Sequence, residues 1–530
     1  MIYFVLSLIS WSAYQVLRTK KALQALQQNT YDKGYRYIKW IVRNIPKVFE
    51  PLDLLPLFLI ILIFFINNNL AVTIIYILIY SFLYYDLNDK LKREKNKLPL
   101  KNTSRIKRII TVTVLIYIGL IIYIYYNYDI QVLNSYLYIF IVLAFLQYFV
   151  IWFVARITMP IEKLVYFYYL IKAKRKLKQV NSLKVIGITG SYGKTSTKNI
   201  LNDILSNKYN VLASPKNFNT PYGLLITINE YIDRFTEIFI SEMGARKNGE
   251  IKELCDIVKP KYGILTKIGV AHLDSFGSQK NIQETKFELI ESLPIDGIAI
   301  LNINDPLQVN YELKNKCKVI WIGIDNKDAD VMATDIKTSA SGTSFNVIFK
   351  GNNQKYHFET ILLGYINAYN VLACIALCKE LGMSIRDLQK GVNKIKTIEH
   401  RLELKKVGDI NIIDDAYNSN PIGSQMALDI LNTMPGYKII VTPGMIELGD
   451  KQYEYNREFG INMASVCDEV ILVGKEQTKP IYDGLQAKRY NEEHIHIIND
   501  VKQAFEIIRK LKDQNTYVLL ENDLPDIFNE

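Results

Sequence analysis

The stretch from Lys184 to Leu205, KVIGITGSYGKTSTKNILNDIL, constrains the fold more than any other part of the chain. Its first residues are typical of a short buried strand, three glycines then allow a tight turn, and the end has apolar residues at helical spacing. Such a loop presents backbone N–H groups and a helix N-terminus to an anion. Lys194 can reach terminal phosphates, and the hydroxyl of Thr195 can bind Mg²⁺. The stretch therefore predicts a strand–loop–helix unit that binds a nucleoside triphosphate.

This loop departs from the general phosphate-loop pattern by one position. The pattern places a glycine five positions before Gly193, where this chain has Ile188, and Gly187 stands one residue earlier. A glycine-rich turn with an incidental Gly-Lys-Thr is the alternative interpretation. The order of strand, loop and helix favours phosphate binding.

The composition favours a membrane as the anionic partner rather than nucleic acid. The chain has 530 residues, enough for about three domains, and a formal net charge of +11. Much of this excess lies in loops beside apolar segments of the first part of the chain. The five cysteines form no CxxC pair and have no metal-site spacing, which indicates reduced, structural thiols in the cytosol.

Apolar segments before the glycine loop predict about five membrane spans. Basic residues are concentrated between positions 18 and 47 and between 90 and 108, whereas 67–69 and 127–135 contain none. The positive-inside rule therefore predicts an outside N-terminus and places everything after Arg156 in the cytoplasm. Buried helices of a soluble protein are the alternative. The expected spans are Met1–Leu17, Leu54–Ile66, Leu70–Tyr85, Ile109–Tyr126 and Tyr136–Val154.

These patterns predict an α-helical membrane region followed by α/β domains. We assign 1–155 to the transmembrane region, 156–182 to a basic amphipathic connector near the inner leaflet, 183–398 to a central nucleotide-binding domain and 399–530 to a Rossmann-like domain. The strands expected after the glycine loop are Ile238–Ser241, Tyr262–Thr266, Ile298–Leu301, Val319–Ile322, Ile410–Ile413, Lys438–Thr442, Val470–Val473, Ile495–Ile498 and Tyr517–Leu520.

Three polar residues follow or flank these strands. Glu242 stands at the carboxyl end of a strand, where α/β folds place ligands and where a carboxylate can bind Mg²⁺. His272 follows the next strand, and Lys286 lies fourteen positions further on a predicted helix. Taken singly, each of these residues has an equally ordinary structural interpretation.

A series of segments resembles the Mur ligase family, the ATP-dependent amide-forming enzymes of peptidoglycan precursor synthesis. The resemblance is greatest to the members that add D-alanyl-D-alanine, and it covers the chain from Leu183 to the C-terminus. An ordered series of this kind is far more specific than any one motif. The segments are ITGSYGKTS, SPKNFNTPYGLLIT, SEMGARKNGEI, AHLDSFGSQKNIQETKFELIESLP, NAYNVLACIA, EHRLE, DDAYNSNP and MIELG.

The resemblance implies roles for the matching positions. It implies two Mg²⁺ ions and carbamylation of Lys286 by CO₂, which would turn a cation into an anionic oxygen donor for Mg²⁺. The implied metal ligands are Thr195, Glu242, His272 and Lys286. The implied catalytic residues are Lys194, Glu242, His272, Lys286 and Arg401. The implied ATP-binding residues are Gly190, Ser191, Gly193, Lys194, Thr195, Ser196, Asn304, Asp305, Asn367, Arg401 and Asp415.

Departures from the family pattern shape the expected substrate. Family members that are soluble begin with a domain for the uridine diphosphate end of the substrate, and this chain has no room for one between Val154 and Lys184. The expected Lys-Gly-Ser-Arg segment near the end is replaced by LLENDLPD (519–526), and the family histidine before Asn367 is Ile366.

We therefore expect a membrane-anchored, ATP-dependent, ADP-forming amide ligase. It would activate a carboxylate as an acyl phosphate and couple it to an amino acid or peptide amine, on a lipid-linked or other cell-envelope precursor near the inner leaflet. Two alternatives stay open. One is D-alanyl-D-alanine addition to UDP-MurNAc-tripeptide, and the other is a catalytically inactive nucleotide-binding membrane scaffold.

Overall fold

The computed structural model describes residues 2–66, 68–93, 99–127, 133–180, 182–269, 273–352, 354–417, 419–446, 448–511 and 515–522. The chain divides into two compact units, Met1–Phe167 and Tyr168–Glu530. The division lies within one helix of the predicted connector, so it falls later than the boundary expected at 155.

The first unit is helical. Its core contains many aromatic residues, with Trp11, Tyr76, Tyr80 and Phe140 almost fully buried. Short 3₁₀ segments occur at Thr30–Tyr35 and Pro51–Leu54. The helices are α1 (Ile2–Gln28), α2 (Arg36–Arg43), α3 (Ile45–Val48), α4 (Leu55–Phe65), α5 (Asn69–Arg93), α6 (Ser104–Tyr126), α7 (Leu133–Phe145), α8 (Gln147–Ile157) and α9 (Met159–Gln179), the last of which continues into the second unit.

The expectation of about five spans is only partly met. In the described part of the chain, α5 and α6 are long and apolar enough to cross a membrane. The pair α7 and α8 passes the same test jointly but is bent by 82°, and α4 has only 11 residues. The count is therefore two, or three if the bent pair is one span. The predicted outside N-terminus requires an odd count and stays a prediction; Asn67 and 128–132, in the loops used for it, lie outside the described residues.

Helix α1 continues past Leu17, the end of the first predicted span, through the basic residues to Gln28. Arg18 is buried, with its guanidinium 2.7 Å from the Asp53 carboxylate. Arg18 also donates to the carbonyls of Ala144 and Phe145, at the end of α7. Its charge thus stabilises helix carbonyls where the chain bends.

The second unit begins with a nine-stranded sheet whose order is β2-β3-β1-β4-β5-β6-β7-β8-β9. Strands β1 to β7 pair in parallel, and β7, β8 and β9 pair antiparallel. The strands are β1 (Lys184–Thr189), β2 (Val211–Ala213), β3 (Ile238–Glu242), β4 (Tyr262–Leu265), β5 (Ile298–Asn302), β6 (Lys318–Ile324), β7 (Val331–Ser339), β8 (Gly342–Phe349) and β9 (Tyr356–Thr360).

Helices cover this central sheet, and α10 packs against α16 over one buried cluster. A π-helical turn, Thr227–Tyr231, extends α11. The helices are α10 (Lys194–Leu205), α11 (Pro221–Ile226), α12 (Glu250–Val258), α13 (Leu273–Phe276), α14 (Gln279–Glu291), α15 (Pro306–Val309), α16 (Tyr365–Glu380) and α17 (Ile385–Asn393).

A six-stranded sheet of order β10-β11-β15-β12-β13-β14 follows, parallel except for β10. This agrees with the Rossmann-like prediction for the C-terminal part. Its elements are β10 (Glu403–Val407), β11 (Ile410–Asp415), α18 (Pro421–Thr433), β12 (Tyr437–Thr442), α19 (Gln452–Met463), β13 (Glu469–Val473), α20 (Lys475–Ala487), β14 (Ile495–Ile498), α21 (Val501–Leu511) and β15 (Thr516–Glu521).

Each strand predicted from the sequence is present, with ends that differ by at most two residues. The sequence prediction missed β2, the antiparallel strands β7 to β9, and β10. The five cysteines are buried and free, as expected for structural thiols.

Candidate nucleotide and metal site

The glycine loop lies at the carboxyl edge of the central sheet, where the strand order reverses around β1. Strand β1 pairs with β3 on one side and β4 on the other, so Ile188 lies opposite Glu242 and Thr189 opposite Leu265. Ligands bind at such a switch point because the loops after neighbouring strands diverge there and leave a crevice. The fold thus places the predicted phosphate loop in the usual ligand position.

Two glycines of the loop are required by its geometry. Gly193 has φ +80° and caps α10, and a Cβ there would lie 2.7 Å from Asn370 Oδ1. A Cβ on Gly190 would lie 1.9 Å from Thr266 Oγ1. Ser191 donates from Oγ to the carbonyl of Gly269 over 3.0 Å. Residues after β4 and on α16 therefore pack closely against the loop at the N-terminus of α10.

Glu242 receives polar contacts from three segments. Its Oε1 accepts hydrogen bonds from Thr195 Oγ1 and Asn219 Nδ2, each over 3.1 Å. Lys198 Nζ lies 3.0 Å from Oε2. Glu242 is only 2% exposed, and burial alone would raise its pKa. The positive charges of Lys198 and Lys194 outweigh burial, so the pKa is lower than usual and the carboxylate is ionised.

Lys194 is electrostatically linked to the other charged residues of the site. Its Nζ donates to the carbonyls of Gly190 over 2.6 Å and Ser191 over 3.0 Å. Desolvation is the main cause that lowers its pKa to about 8, Glu242 opposes the shift, and Arg401 adds to it. An arginine of the C-terminal part thus lies near enough to the loop lysine for their like charges to repel.

Lys286 is buried on α14, with Nζ 5.5 Å from the centre of the Phe276 ring. Burial, with a smaller contribution from Lys194, lowers its pKa to about 7. Among the described residues no carboxylate forms an ion pair with it. His272, its predicted partner in a second metal site, lies outside the described residues.

Three further residues that the resemblance implies for ATP binding lie after β5, at Asn304 and Asp305, and on α16, at Asn367. Asp305 is buried, and its Oδ2 accepts from the backbone N–H of Ile268 over 3.0 Å, which links it to the chain after β4. Asn304 Oδ1 accepts from the N–H of Ile324 over 2.8 Å. Asn367 is buried and donates to the carbonyl of Leu363 over 2.9 Å. Each of these side chains therefore has a structural hydrogen-bond partner.

Arg401 lies between two residues with left-handed backbone, His400 with φ +58° and Leu402 with φ +50°. Its guanidinium carbon lies 4.2 Å from the centre of the Tyr417 ring. Asp415 Oδ1 accepts from the N–H of Leu402 over 3.3 Å. Burial raises the pKa of Asp415 to about 6, although Arg401 opposes the shift. Strained backbone of this kind occurs where a side chain must be held in one position.

Two residues of this site were missed by the sequence prediction, Lys198 and Asn219. Lys198 is four residues after Lys194, and therefore one helical turn away on α10. Asn219 belongs to the resembling segment SPKNFNTPYGLLIT, where the asparagine before Thr220 could have been noted.

The donor set at Glu242 fits Mg²⁺. The Thr195 hydroxyl and the Glu242 carboxylate are neighbouring oxygen donors, and Oε2 has an ion pair but no aligned hydrogen bond. Mg²⁺ is commonly held by one or two protein carboxylates together with phosphates and water. No group of three or more His, Cys, Asp or Glu side chains suited to a metal occurs among the described residues.

Comparison with protein families matches both domains of the second unit. Residues 188–378 match the Mur ligase middle domain, and residues 400–521 match the Mur ligase glutamate ligase domain. The chain belongs to the Mur ligase family. Its first unit lies outside both matches.

The curated Mur ligases that resemble this chain include the UDP-N-acetylmuramoyl-tripeptide–D-alanyl-D-alanine ligase of Bacillus subtilis (strain 168). The two are 34% identical over 308 residues, which is 57% of this chain and 65% of the relative. This chain therefore spans slightly less than two thirds of that relative.

Solved structures of Mur ligases also match this chain. MurF from Acinetobacter baumannii matches with a TM-score of 0.61 and 25% identity, over 67% of this chain and 77% of that one. MurF from Thermotoga maritima, solved in complex with ADP, matches with a TM-score of 0.58 and 26% identity, over 67% of this chain and 80% of that one.

Proposed function

We propose that the chain is an ATP-dependent, ADP-forming ligase that joins a carboxylate to the amine of an amino acid or peptide. The observation that carries this proposal is the cluster of Lys194, Thr195 and Glu242 at the switch point, with Arg401 reaching it electrostatically from the C-terminal part. The reaction class is inferred from the family, and the residues that act in it are inferred from the geometry of the site. An ionised Glu242 and the complete loop argue against an inactive scaffold.

The chain's own residues act by binding and by electrostatic stabilisation. The loop N–H groups and Lys194 hold the triphosphate, while Thr195 and Glu242 would hold Mg²⁺ against it. Bound Mg²⁺ would supply charge neutralisation between the triphosphate and the substrate carboxylate. Arg401 would stabilise the charge that develops as the γ-phosphoryl group moves to the carboxylate and forms the acyl phosphate. The amine then attacks the acyl carbon, the C–O bond to the phosphoryl group breaks, and the amide forms with release of inorganic phosphate and a proton.

Lys286 is suited to the carbamylation that the family resemblance implies. A pKa of about 7 leaves much of the buried amine neutral near neutral pH, and only a neutral amine can attack CO₂. The product has anionic oxygens, which Mg²⁺ prefers over an ammonium group. We propose that Lys286 and His272 together provide a second metal site.

We further propose that the first unit anchors the chain in the cell membrane and that the second unit lies on the cytoplasmic side. Two helices of the first unit are apolar and long enough for spans, and the bent pair α7 and α8 gives a third if it is one span. ATP is available in the cytoplasm, and the basic residues that flank the apolar segments agree with this orientation. The acceptor would then be a lipid-linked or membrane-proximal carboxylate of a cell-envelope precursor.

The second candidate is the MurF reaction itself, addition of D-alanyl-D-alanine to UDP-MurNAc-tripeptide. The curated D-alanyl-D-alanine ligase with 34% identity favours it. In this case the first unit would only localise the enzyme.

Activity assays with two acceptors separate the candidates. The full chain in lipid nanodiscs would receive ATP, Mg²⁺, pooled amino acids and D-alanyl-D-alanine, with either a membrane lipid extract or UDP-MurNAc-tripeptide. Mass spectrometry would identify the amide. Product only from the lipid extract supports the membrane acceptor, and product only from the nucleotide substrate supports MurF activity. Lack of ADP release and amide with both would overturn the proposal. Glu242→Gln should abolish product, whereas the exposed control Glu312→Gln should not.

A further inference from the structure

Helix α9 has an apolar stripe on the face that is exposed. Large apolar side chains recur at helical spacing on this face, and Leu164 is 71% exposed. A helix in water normally turns such a stripe toward the core. Here the buried positions of the helix include Glu162 and Ala173 instead. The stripe consists of Ile161, Leu164, Tyr168 and Ile171.

The same helix becomes strongly basic after its apolar half. Glu162 is its only acidic residue, so the charge of its second half is wholly positive. Apolar and aromatic side chains followed by clustered Lys and Arg are typical of helices that lie in the interface of an anionic bilayer. The basic residues are Lys172, Lys174, Arg175, Lys176 and Lys178.

A second exposed apolar segment lies on the central domain beside α9. Lys176 Nζ donates to the carbonyl of Asn229 over 2.8 Å, and Asn229 Nδ2 donates to the carbonyl of Tyr169 over 3.1 Å. Around Asn229, on α11 and the π-helical turn, Tyr231 is 50% exposed. The exposed side chains of this segment are Tyr222, Ile226, Tyr231 and Phe235.

This segment is a direct continuation of the loop that contacts Glu242. Asn219 donates to Glu242, and Tyr222 is three residues later. In the second unit, seven of the seventeen exposed large hydrophobic side chains among the described residues lie within 168–171 and 222–235. Exposed apolar side chains are therefore concentrated next to the site, which indicates a partner surface rather than scattered exposure.

We infer that two segments of the second unit, the end of the α9 stripe at Tyr168 and Ile171 and the segment Tyr222–Phe235, form one lipid-contact surface of the catalytic part. The surface binds the headgroup region of an anionic bilayer, because Tyr and apolar side chains enter the interface while the basic residues contact lipid phosphates. Resting on the proposed ligase function, this contact would hold the Glu242 loop near the headgroups. This position of the loop would favour an acceptor whose carboxylate lies in the headgroup layer of the bilayer.

Fluorescent labels on introduced cysteines test the contact directly. The five natural cysteines are buried, so a label reacts at the new position. The variants are Tyr168→Cys and Tyr231→Cys, with Ile295→Cys as the matched control because Ile295 is apolar, 82% exposed and in the same unit. The full chain would be placed in nanodiscs of phosphatidylcholine and phosphatidylglycerol that contain headgroup-nitroxide lipids.

We expect quenching at positions 168 and 231 to exceed that at 295 several-fold, and to fall when Lys172, Lys174, Arg175 and Lys178 are replaced by Gln. Equal quenching at 231 and 295 would overturn the inference. Blue-shifted emission at 231 without quenching would also overturn it, because protein, from the first unit or a second copy, would then cover the segment. The readout needs no catalysis, so failure of the ligase assay and failure of this inference are distinguishable.

Discussion

Lys198 Nζ lies 3.0 Å from Glu242 Oε2, and each of the two residues is 2% exposed. Lys198 also donates to the carbonyl of Lys216 over 2.7 Å, in the loop that continues to Asn219. The lysine therefore joins α10, the end of β3 and the loop after β2. Neither charge can be removed alone without leaving the other buried and poorly compensated.

Replacement of Lys198 by Met should destabilise the chain by about 3 kcal/mol, the cost typical of breaking a buried ion pair. The double variant Lys198→Met, Glu242→Gln should lose less than the sum of the single variants, because neither charge is left behind. Denaturant unfolding of the three variants measures this coupling. The exposed pair Lys280–Glu284 is the control, since Lys280→Met should change stability by less than about 1 kcal/mol. If the changes in unfolding free energy of the two single variants add up to that of the double variant, the coupling is contradicted.

Arg401→Ala should lower ATP turnover by about 100-fold or more, the range seen when one transition-state charge contact is removed. Affinity for ADP should change little, because the loop and Lys194 remain. Turnover and ADP titration on the same preparation separate these effects. Arg386→Ala, an exposed arginine on α17, is the matched control. Unchanged turnover in Arg401→Ala would show that the residue acts elsewhere.

A cluster at the start of β13 should make stability depend on pH. Glu469 is buried and accepts hydrogen bonds from His494 and His496, each over 2.8 Å. The hydrogen bond to Glu469 raises the pKa of His494. A His pKa that is raised on folding gives stability that is present below the unfolded value near 6.5 and is lost as pH rises through the folded value.

We therefore expect the melting temperature to fall as pH rises above 6.5, and His494→Gln to make this dependence less steep. Thermal unfolding between pH 6 and pH 8 measures it. His357 pairs with Glu359 at an exposed site, so His357→Gln should leave the slope unchanged. Glu521 also contributes to the slope in this range, so the contradicting result is a slope as steep in His494→Gln as in the parent.

Glu521 should reduce stability at alkaline pH. Its carboxyl group is 1% exposed, Ser419 and Thr442 donate to it, and burial raises its pKa to about 8. The folded chain holds this proton above the unfolded pKa, so stability falls as pH rises from about 4.5 to about 8. Glu521→Gln should remove that loss and stabilise the chain most at pH 8 and above. A variant that is less stable than the parent at pH 9 would contradict this.

The strands that frame the site could be predicted because their signals are local. Ile238–Ser241 is a buried apolar run that ends at a carboxylate, and the glycine loop follows a strand and precedes a helix. The contacts of Lys198 and Asn219 could not be predicted in this way. They depend on the pairing of β1 with β3, which brings distant segments together.

Other differences have equally specific causes. Strands β7 to β9 alternate polar and apolar residues with little hydrophobic contrast, so the periodicity was weak. The first helix continues past Leu17 because Asp53 and helix carbonyls satisfy Arg18 inside the unit. A hydropathy pattern read from the sequence detects the charge of Arg18 but not its ion-pair partner Asp53, which is distant in the sequence.

The most direct test of the ligase proposal traces an oxygen atom from the acceptor carboxylate into the released phosphate. The full chain would react ATP and an amine with an acceptor whose carboxylate carries ¹⁸O, and mass spectrometry would measure phosphate, ADP and amide. Transfer to an acyl phosphate predicts one ¹⁸O in phosphate for each ADP and each amide formed. ADP release with unlabelled phosphate and no amide would contradict the account, because the nucleotide would then be hydrolysed without activation of a carboxylate.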